Sequence, residues 1–139
     1  MSAIKDGRLP ITLDKERHLY FSLHVMDEMQ DKFGGFDKLG EIMQGKDALK
    51  NVTWLLTRLL NEGEIYTRFL EVGTMEGAEE LNERIVGLLL NAGNMGEIKT
   101  AIFKAFAKGT RGSDDPPEGD ADADGEDNDK EGNGTAGKG

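Results

Sequence analysis

The sequence predicts an α+β fold that is mainly helical: an N-terminal β-hairpin, about five short helices and a disordered acidic C-terminal tail. Three observations predict it. Apolar residues alternate with polar ones as far as residue 23, then recur at helical spacing up to residue 106. After residue 108 there is no Leu, Ile, Val, Met or aromatic residue. We therefore expect a helical body with its hairpin at residues 1–108 and a separate tail at residues 109–139.

Two alternating runs, at residues 9–14 and 18–23, predict the hairpin. Such alternation places apolar side chains on one face of a half-buried strand. Residues 14–16 are expected to form the loop between the strands. Pro10 lacks a backbone N–H, which suits an edge strand. The residues expected on the buried face are Leu9, Ile11, Leu13, Leu19, Phe21 and Leu23.

Three helices are expected between the hairpin and residue 63. Ser22 is the expected N-cap of the first helix, and the glycine pair at 34–35 ends it. A short second helix ends at Gly45. Asp47 caps a third helix, which we expect to end at residues 61–63. The inward residues of the three helices are Val25, Met26, Met29 and Phe33; Phe36, Leu39, Ile42 and Met43; and Leu49, Val52, Leu55, Leu56, Leu59 and Leu60.

Two further helices are expected after residue 73. Residues 64–73 have helical spacing but form only a short segment, which we leave unassigned. Thr74 is expected to start the fourth helix, and Asn94 with Glu97 forms a capping-box pattern at the start of the fifth. The inward residues are Leu81, Ile85, Leu88 and Leu89 in the fourth helix, and Ile98, Ala101, Ile102, Ala105 and Phe106 in the fifth.

The composition argues against several classes of function. Residues 1–108 hold 14 Lys/Arg and 17 Asp/Glu, whereas residues 109–139 hold 3 and 10. This negative charge argues against direct binding to nucleic acid, because phosphates are repelled. Cysteine is absent, which excludes disulfide and thiolate sites. No apolar run approaches the roughly 20 residues that cross a bilayer, and the charged N-terminus does not predict secretion.

The chemistry of the side chains points away from catalysis. His18 is expected on the outward face of a strand and His24 in the first turn of a helix. A metal ion or a general base requires converging partners. Asp27 and Glu28 lie near His24 in sequence, but both are equally well explained as acidic residues of a first helical turn. No nucleophile elbow, phosphate-binding loop or zinc spacing occurs. We therefore expect no enzyme and no cofactor.

One motif in the tail matches a metal-binding pattern. Asp120, Asp122, Asp124 and Glu131 occupy positions 1, 3, 5 and 12 of an EF-hand calcium loop. The flanking segments are rich in Pro and Gly and cannot form the helices of an EF-hand. We therefore expect no specific metal site, and weak calcium association is the alternative.

The third predicted helix carries the candidate partner-binding residues Trp54, Leu55, Arg58 and Leu59. Aromatic and aliphatic side chains on one helix can anchor a partner helix. The alternative is that they form the core. Burial preferences favour the core for Leu55 and Leu59, whereas Trp54 fits either role.

The order of the motifs also indicates a family. The hairpin is followed by Lys-Phe-Gly-Gly-Phe at 32–36, a short helix with Leu39 and Ile42, Gly-Lys-Asp at 45–47 and Trp-Leu-Leu at 54–56. Over residues 9–90 this order resembles the tail assembly chaperones of long-tailed bacteriophages. The hairpin loop departs from the family, where Asp-Gly or Asn-Gly is often seen.

The resemblance implies a non-enzymatic protein that binds the tape measure protein, keeps it soluble and helps recruit tail tube subunits. Self-association is left open. The resemblance also implies a location in the host cytoplasm and absence from the mature virion. Many members of this family have a longer form made by translational frameshift, and Gly-Lys-Gly at 137–139 suits a slippery codon sequence.

Two other functions compete with this hypothesis. The chain could be an acidic adaptor or regulatory protein whose tail mimics nucleic acid, or a calcium-binding protein. Deleting residues 109–139 separates them. If the chain is a chaperone, residues 1–108 alone still bind the partner protein. If it is a nucleic-acid mimic, the deletion abolishes binding to a basic partner, and the affinity of the full chain falls steeply with salt. A calcium-binding protein requires calcium to order residues 120–131.

Overall fold

The computed structural model describes residues 7–35 and 37–111. It confirms the predicted fold, because this part of the chain forms a two-stranded antiparallel hairpin followed by five helices. Phe36, the EF-hand-like pattern and residues 112–139 lie outside the described residues. The elements are β1 (Leu9–Thr12), β2 (Glu16–Leu19), α1 (Leu23–Phe33), α2 (Leu39–Ile42), α3 (Ala48–Val72), α4 (Glu83–Leu89) and α5 (Met95–Arg111).

The hairpin is shorter than its alternation predicts. Its register runs from Leu9 opposite Leu19 to Thr12 opposite Glu16, which leaves residues 13–15 as the loop. The prediction that the second strand reaches Leu23 is wrong. Leu23 begins α1, and its side chain is 81% exposed. β2 ends where β1 no longer offers a partner, and the next backbone N–H, that of Tyr20, donates to the Leu59 carbonyl of α3 at 3.1 Å.

The core surrounds the first two-thirds of α3. That helix contributes five side chains with no exposed surface, and β2, the other helices and the connecting segments cover them. Fully burying one such side chain contributes about 1.5–3 kcal/mol. The buried apolar residues are Leu19, Phe21, Val25, Met29, Leu39, Ile42, Met43, Val52, Leu55, Leu56, Leu59, Leu60, Leu81, Val86, Ile98, Ile102 and Ala105.

The predicted end of α3 at residues 61–63 is wrong. The helix continues through Gly63 to Val72 and ends at Gly73, which has a φ of +81° and donates its N–H to the Phe69 carbonyl. A Cβ atom on Gly63 would lie 1.9 Å from the His18 carbonyl oxygen. Glycine therefore allows β2 to approach the helix. Its intrinsic cost inside a helix, about 1 kcal/mol, is small beside the packing on either side.

The fourth helix starts nine residues later than predicted. The Asn61 side chain donates to the Leu81 carbonyl and accepts from the Leu81 N–H, both at 2.8 Å, which fixes an extended return loop. Asn82 then caps α4 by accepting from the Ile85 N–H at 2.8 Å. The inward residue of α4 is Val86. The predictions that Ile85 and Leu88 face inward are wrong, because both are exposed.

The remaining helix predictions are confirmed in part. The predicted end of the second helix at Gly45 is wrong, because α2 ends at Ile42. The prediction that Leu49 faces inward is also wrong, because this side chain lies in the first turn of α3 and is 67% exposed. The Ser22 hydroxyl accepts from the Val25 N–H at 3.1 Å, and Gly34 ends α1 in the left-handed conformation. Asp47 holds the N-cap position of α3 without a side-chain hydrogen bond. Asn94 precedes α5, but its side-chain oxygen accepts from the Asn91 N–H, so the predicted capping box is wrong.

The last helix extends past the predicted end of the body. Ile98, Ile102 and Ala105 are buried as expected, and the Phe106 ring lies 5.0 Å from the ring of Phe21. Residues 109–111 belong to α5, so the predicted boundary at 108 falls within a helix. Within the described residues, no helix is both long and apolar enough to cross a membrane.

Candidate protein-binding surfaces

The two histidines lie in separate surroundings. His18 is half-buried beside α3, with its Nδ1 3.5 Å from the Thr67 hydroxyl. His24 is exposed in the first turn of α1, and its Nε2 is 3.8 Å from a Glu28 carboxylate oxygen. Across residues 7–35 and 37–111, no three His, Cys, Asp or Glu side chains are grouped closely enough to hold a metal ion.

The Trp54 surface consists of Lys32, Phe33, Leu49, Trp54 and Arg84. The Trp54 ring is half-buried and meets the Phe33 ring edge-on at 5.6 Å between centroids. Lys32 places its ammonium 5.3 Å from the centre of the Trp54 ring. An open cavity of about 700 Å³ adjoins this pair, and Asp47, Lys50 and Glu83 also line it. The surface therefore presents an apolar patch among charges of both signs.

Of the four residues predicted to bind a partner, two are buried in the core and two reach the surface. Leu55 and Leu59 have no exposed surface and belong to the core. Arg58 is partly exposed and holds an ion pair with Glu28 at 3.3 Å. A partner that docks on the folded chain can therefore touch Trp54 and Arg58 but not the two leucines. The helical spacing that places all four near one stripe does not reveal where that stripe passes under neighbouring elements.

A second surface lies at the end of α3. We define the α3 arm as residues 64–80, which comprise the last turns of α3 and most of the return loop (residues 73–82) that leads to α4. Every residue from 68 to 77 is exposed. Four large apolar side chains belong to this stretch: Phe69 (50% exposed), Leu70 (41%), Val72 (52%) and Met75 (62%).

The apolar residues of the α3 arm follow helical geometry. Ile65, Phe69 and Val72 are spaced i, i+4 and i+7, which places them on one face of α3. Tyr66 and Leu70 lie on the neighbouring face, since they are also four residues apart. The sequence contains this spacing, but the expected end at residues 61–63 obscured it. A helical apolar stripe continues past the core with no covering element among the described residues.

The base of the α3 arm is fixed to the hairpin. The Tyr66 ring stacks on Tyr20 with 4.5 Å between centroids. Arg8 donates from Nη1 to the Thr67 hydroxyl at 2.8 Å. At the far end, Arg68 donates from Nε to the Glu76 carbonyl at 2.9 Å, which ties the return loop back to α3. The arm is therefore held in place before any partner arrives.

A buried arginine links the hairpin loop, α3 and the return loop. Arg17 donates to both carboxylate oxygens of Asp14 at 2.8 and 2.9 Å. Its Nη1 also reaches Glu64 at 3.4 Å and Glu79 at 3.3 Å. The hydrogen bonds from Arg17 hold the pKa of Asp14 well below its usual range. Lys15 and then Arg17 lower the pKa of Glu79.

The α3 arm lies in the acidic part of the body. Residues 62–83 contain seven Glu and one Arg, whereas the other described residues contain 13 Lys/Arg and 9 Asp/Glu. Glu64 and Glu79 pair with Arg17, and Glu62 accepts a hydrogen bond from Ser22. Within the described part of the chain no salt bridge reaches Glu71, Glu76 or Glu80. The segment that carries the exposed apolar stripe therefore also carries exposed carboxylates without salt bridges.

Comparisons with known proteins add no identification to this picture. No protein-family model matches the chain, and neither a curated protein nor a solved structure matches it.

Proposed function

We propose that this chain is a protein-binding chaperone of the phage tail assembly type. It binds the tape measure protein, keeps it soluble and helps recruit tail tube subunits during tail assembly. The observation that supports this proposal best is the exposed apolar stripe of the α3 arm. In this proposal the chain acts in the host cytoplasm and leaves before the virion is complete.

The stripe suits a helical client. Soluble monomers rarely expose large contiguous apolar patches unless these patches bind something. Side chains at i, i+4 and i+7 on one helix pack against a similar stripe on a second helix. In the resembling family the tape measure protein is long and helical, so it offers such stripes. Covering them with a folded acidic body removes apolar surface from water, at about 25 cal/mol per Å².

Charge contributes to the solubility of the complex. The full chain carries a net charge of −10, and every bound copy adds that charge to the client. Like charges on neighbouring copies oppose aggregation of the complexes. The Trp54 surface is formed by α1, the start of α3 and α4, and it shares no residue with the α3 arm. In this proposal it is available for a second partner such as a tail tube subunit.

Coexpression tests the proposal. The full chain is produced together with the tape measure protein encoded in the same genome, and the soluble fraction of the tape measure protein is measured by centrifugation and affinity capture. We expect the tape measure protein to become soluble and to copurify with the chain. A tape measure protein that is equally insoluble with and without the chain, and that does not copurify, contradicts the proposal.

A further inference from the structure

We infer that the α3 arm is a docking surface for a basic amphipathic helix, one whose apolar stripe is bordered by Lys and Arg. This inference rests on the proposed function, since it names the chemistry of the client segment and the surface that receives it. It is carried by three properties of the arm: its apolar stripe, its free carboxylates and its fixed base.

The apolar stripe determines the shape of the partner. Phe69 and Val72 stand one helical turn apart and are each about half exposed, with Leu70 beside them and Met75 just beyond the helix end. Two exposed turns suit the side of another helix, which would bury the stripe with residues at its own i, i+3 or i+4 and i+7 positions.

The free carboxylates determine the charge of the partner. Glu71, Glu76 and Glu80 are exposed and have no salt bridge within the described residues. An acidic helix brought to this stripe would face like charges, whereas a basic one would gain charge-assisted contacts and faster encounter. The Trp54 surface lacks this selectivity, because Lys32, Lys50 and Arg84 are mixed there with Asp47 and Glu83.

The contacts at the base of the α3 arm lower the entropic cost of binding. The stacked Tyr20 and Tyr66 rings, the Arg8 to Thr67 hydrogen bond and the Arg17 cluster all lie on the hairpin side of the arm. A surface that is ordered before binding loses little conformational entropy when a partner docks.

A designed peptide pair tests the inference without the natural client. The basic probe is an amidated helical peptide with Leu on one face and Lys on the others, and the acidic probe carries Glu in place of Lys. Binding to the full chain is measured by calorimetry, and amide NMR shifts locate the site. We expect the basic probe to bind and to perturb residues 65–80, and the acidic probe not to bind.

Matched variants separate this surface from general attraction to an acidic chain. The double variant Phe69→Ser/Val72→Ser should weaken binding of the basic probe at least about tenfold. The control Leu23→Ser/Leu88→Ser removes two exposed apolar side chains outside both surfaces and should bind the basic probe as the wild type does. Equal affinity of the two double variants overturns the inference.

A second matched set tests the charges. The triple variant Glu71→Gln/Glu76→Gln/Glu80→Gln should bind the basic probe about tenfold more weakly than the wild type at low salt. The loss of affinity should be smaller at high salt. Asp27→Asn/Asp31→Asn/Asp37→Asn changes the net charge equally on another face and should leave affinity near that of the wild type. Equal losses in both sets would show that only net charge matters, which overturns the inference.

The remaining occupant to consider is a second copy of this chain. Analytical ultracentrifugation of the wild type and of Phe69→Ser/Val72→Ser distinguishes it. The inference is overturned if the wild type is a dimer, Phe69→Ser/Val72→Ser is a monomer, and both bind the basic probe equally. The arm would then serve self-association. If the probes behave as expected but the tape measure protein stays insoluble with the chain, the proposed function fails while this inference stands.

Discussion

Between Val52 and Leu60, α3 carries five fully buried apolar side chains, whereas from residue 68 onward every residue of the same helix is exposed. The two parts do not differ in apolar character, because the exposed part contains Phe69, Leu70 and Val72. They differ in what covers them. The hairpin and the other helices pack on the first part, and no described element packs on the second.

The comparison shows that burial along a helix depends on its neighbours more than on its own pattern. At 1.5 Å per residue, the 25 residues of α3 span about 37 Å, longer than one small core requires. The excess length carries an apolar stripe out to solvent. Gly63 and Asn61 lie where the buried part of α3 gives way to the exposed part, and where β2 and the return loop contact the helix. Substitutions at these two residues are therefore expected to have the largest effects on stability.

The largest expected effect comes from Gly63→Ala. Its Cβ would lie 1.9 Å from the His18 carbonyl oxygen and 2.6 Å from the carbonyl carbon, both backbone atoms that no rotamer change can move. We expect a loss of about 3 kcal/mol or more in the free energy of unfolding, measured by urea denaturation. Gly87→Ala in α4 is the control. Its Cβ meets no atom within 4 Å, and it should be neutral or stabilise by up to about 1 kcal/mol.

If Gly63→Ala and Gly87→Ala are equally stable, β2 does not approach α3 as described. The buried part of α3 would then end earlier, and the contrast between its two parts would lose its structural basis.

Asn61→Ala should have the next largest effect. It removes both hydrogen bonds to Leu81 and leaves a buried N–H and a buried carbonyl without their partner. We expect a cost of about 2–3 kcal/mol by urea denaturation, with faster hydrogen exchange in residues 74–82. Asn82→Ala removes one exposed N-cap bond and should cost about 1 kcal/mol. Equal costs would show that Asn61 does not anchor the return loop.

A smaller effect is expected from pH at the Arg17 cluster. The pKa of Asp14 is lower in the folded chain than in the unfolded chain, so its ionised form stabilises the fold above its unfolded pKa, near 4. This contribution is lost as pH falls further toward the folded value. Asp14 is partly exposed, and solvent screening keeps the effect modest.

The measurement is the melting temperature from pH 6 to pH 2 for the wild type and Asp14→Asn. The variant should be less stable at pH 6 and should lose less stability than the wild type below about pH 4. Asp37→Asn, on an exposed residue away from the cluster, controls for net charge. Identical pH profiles for the wild type and Asp14→Asn would contradict the described cluster.

Local signals predicted the parts of this fold that depend on local chemistry. Alternation located the hairpin, and Ser22 and Gly34 bounded α1 because capping depends on a few neighbouring backbone groups. The apolar stripe of α5 was also correct, since its period extends over several turns.

The errors fall where distant contacts decide the outcome. Asn61 and Gly63 have the composition of a helix end, but their roles are set by Leu81 and His18, which are 20 and 45 residues away in the chain. The late start of α4 follows from the same Asn61 anchor, which holds Leu81 in the return loop just before the Asn82 cap. The candidate site shifted for this reason too: Trp54 and Arg58 remain at the surface, while the α3 arm was hidden by the expected helix end.

The smallest expected effect on stability comes from the α3 arm itself. Phe69→Ser/Val72→Ser alters two side chains that solvent already reaches, so the free energy of unfolding should stay within about 0.5–1 kcal/mol of the wild-type value in the same urea titration. Asn61→Ala, little more than two turns earlier on the same helix, should cost considerably more. If the double variant instead unfolds as readily as Asn61→Ala, the stripe supports the fold rather than a partner. If the double variant is about as stable as the wild type but no longer binds the basic probe, the exposed part of α3 is assigned to binding.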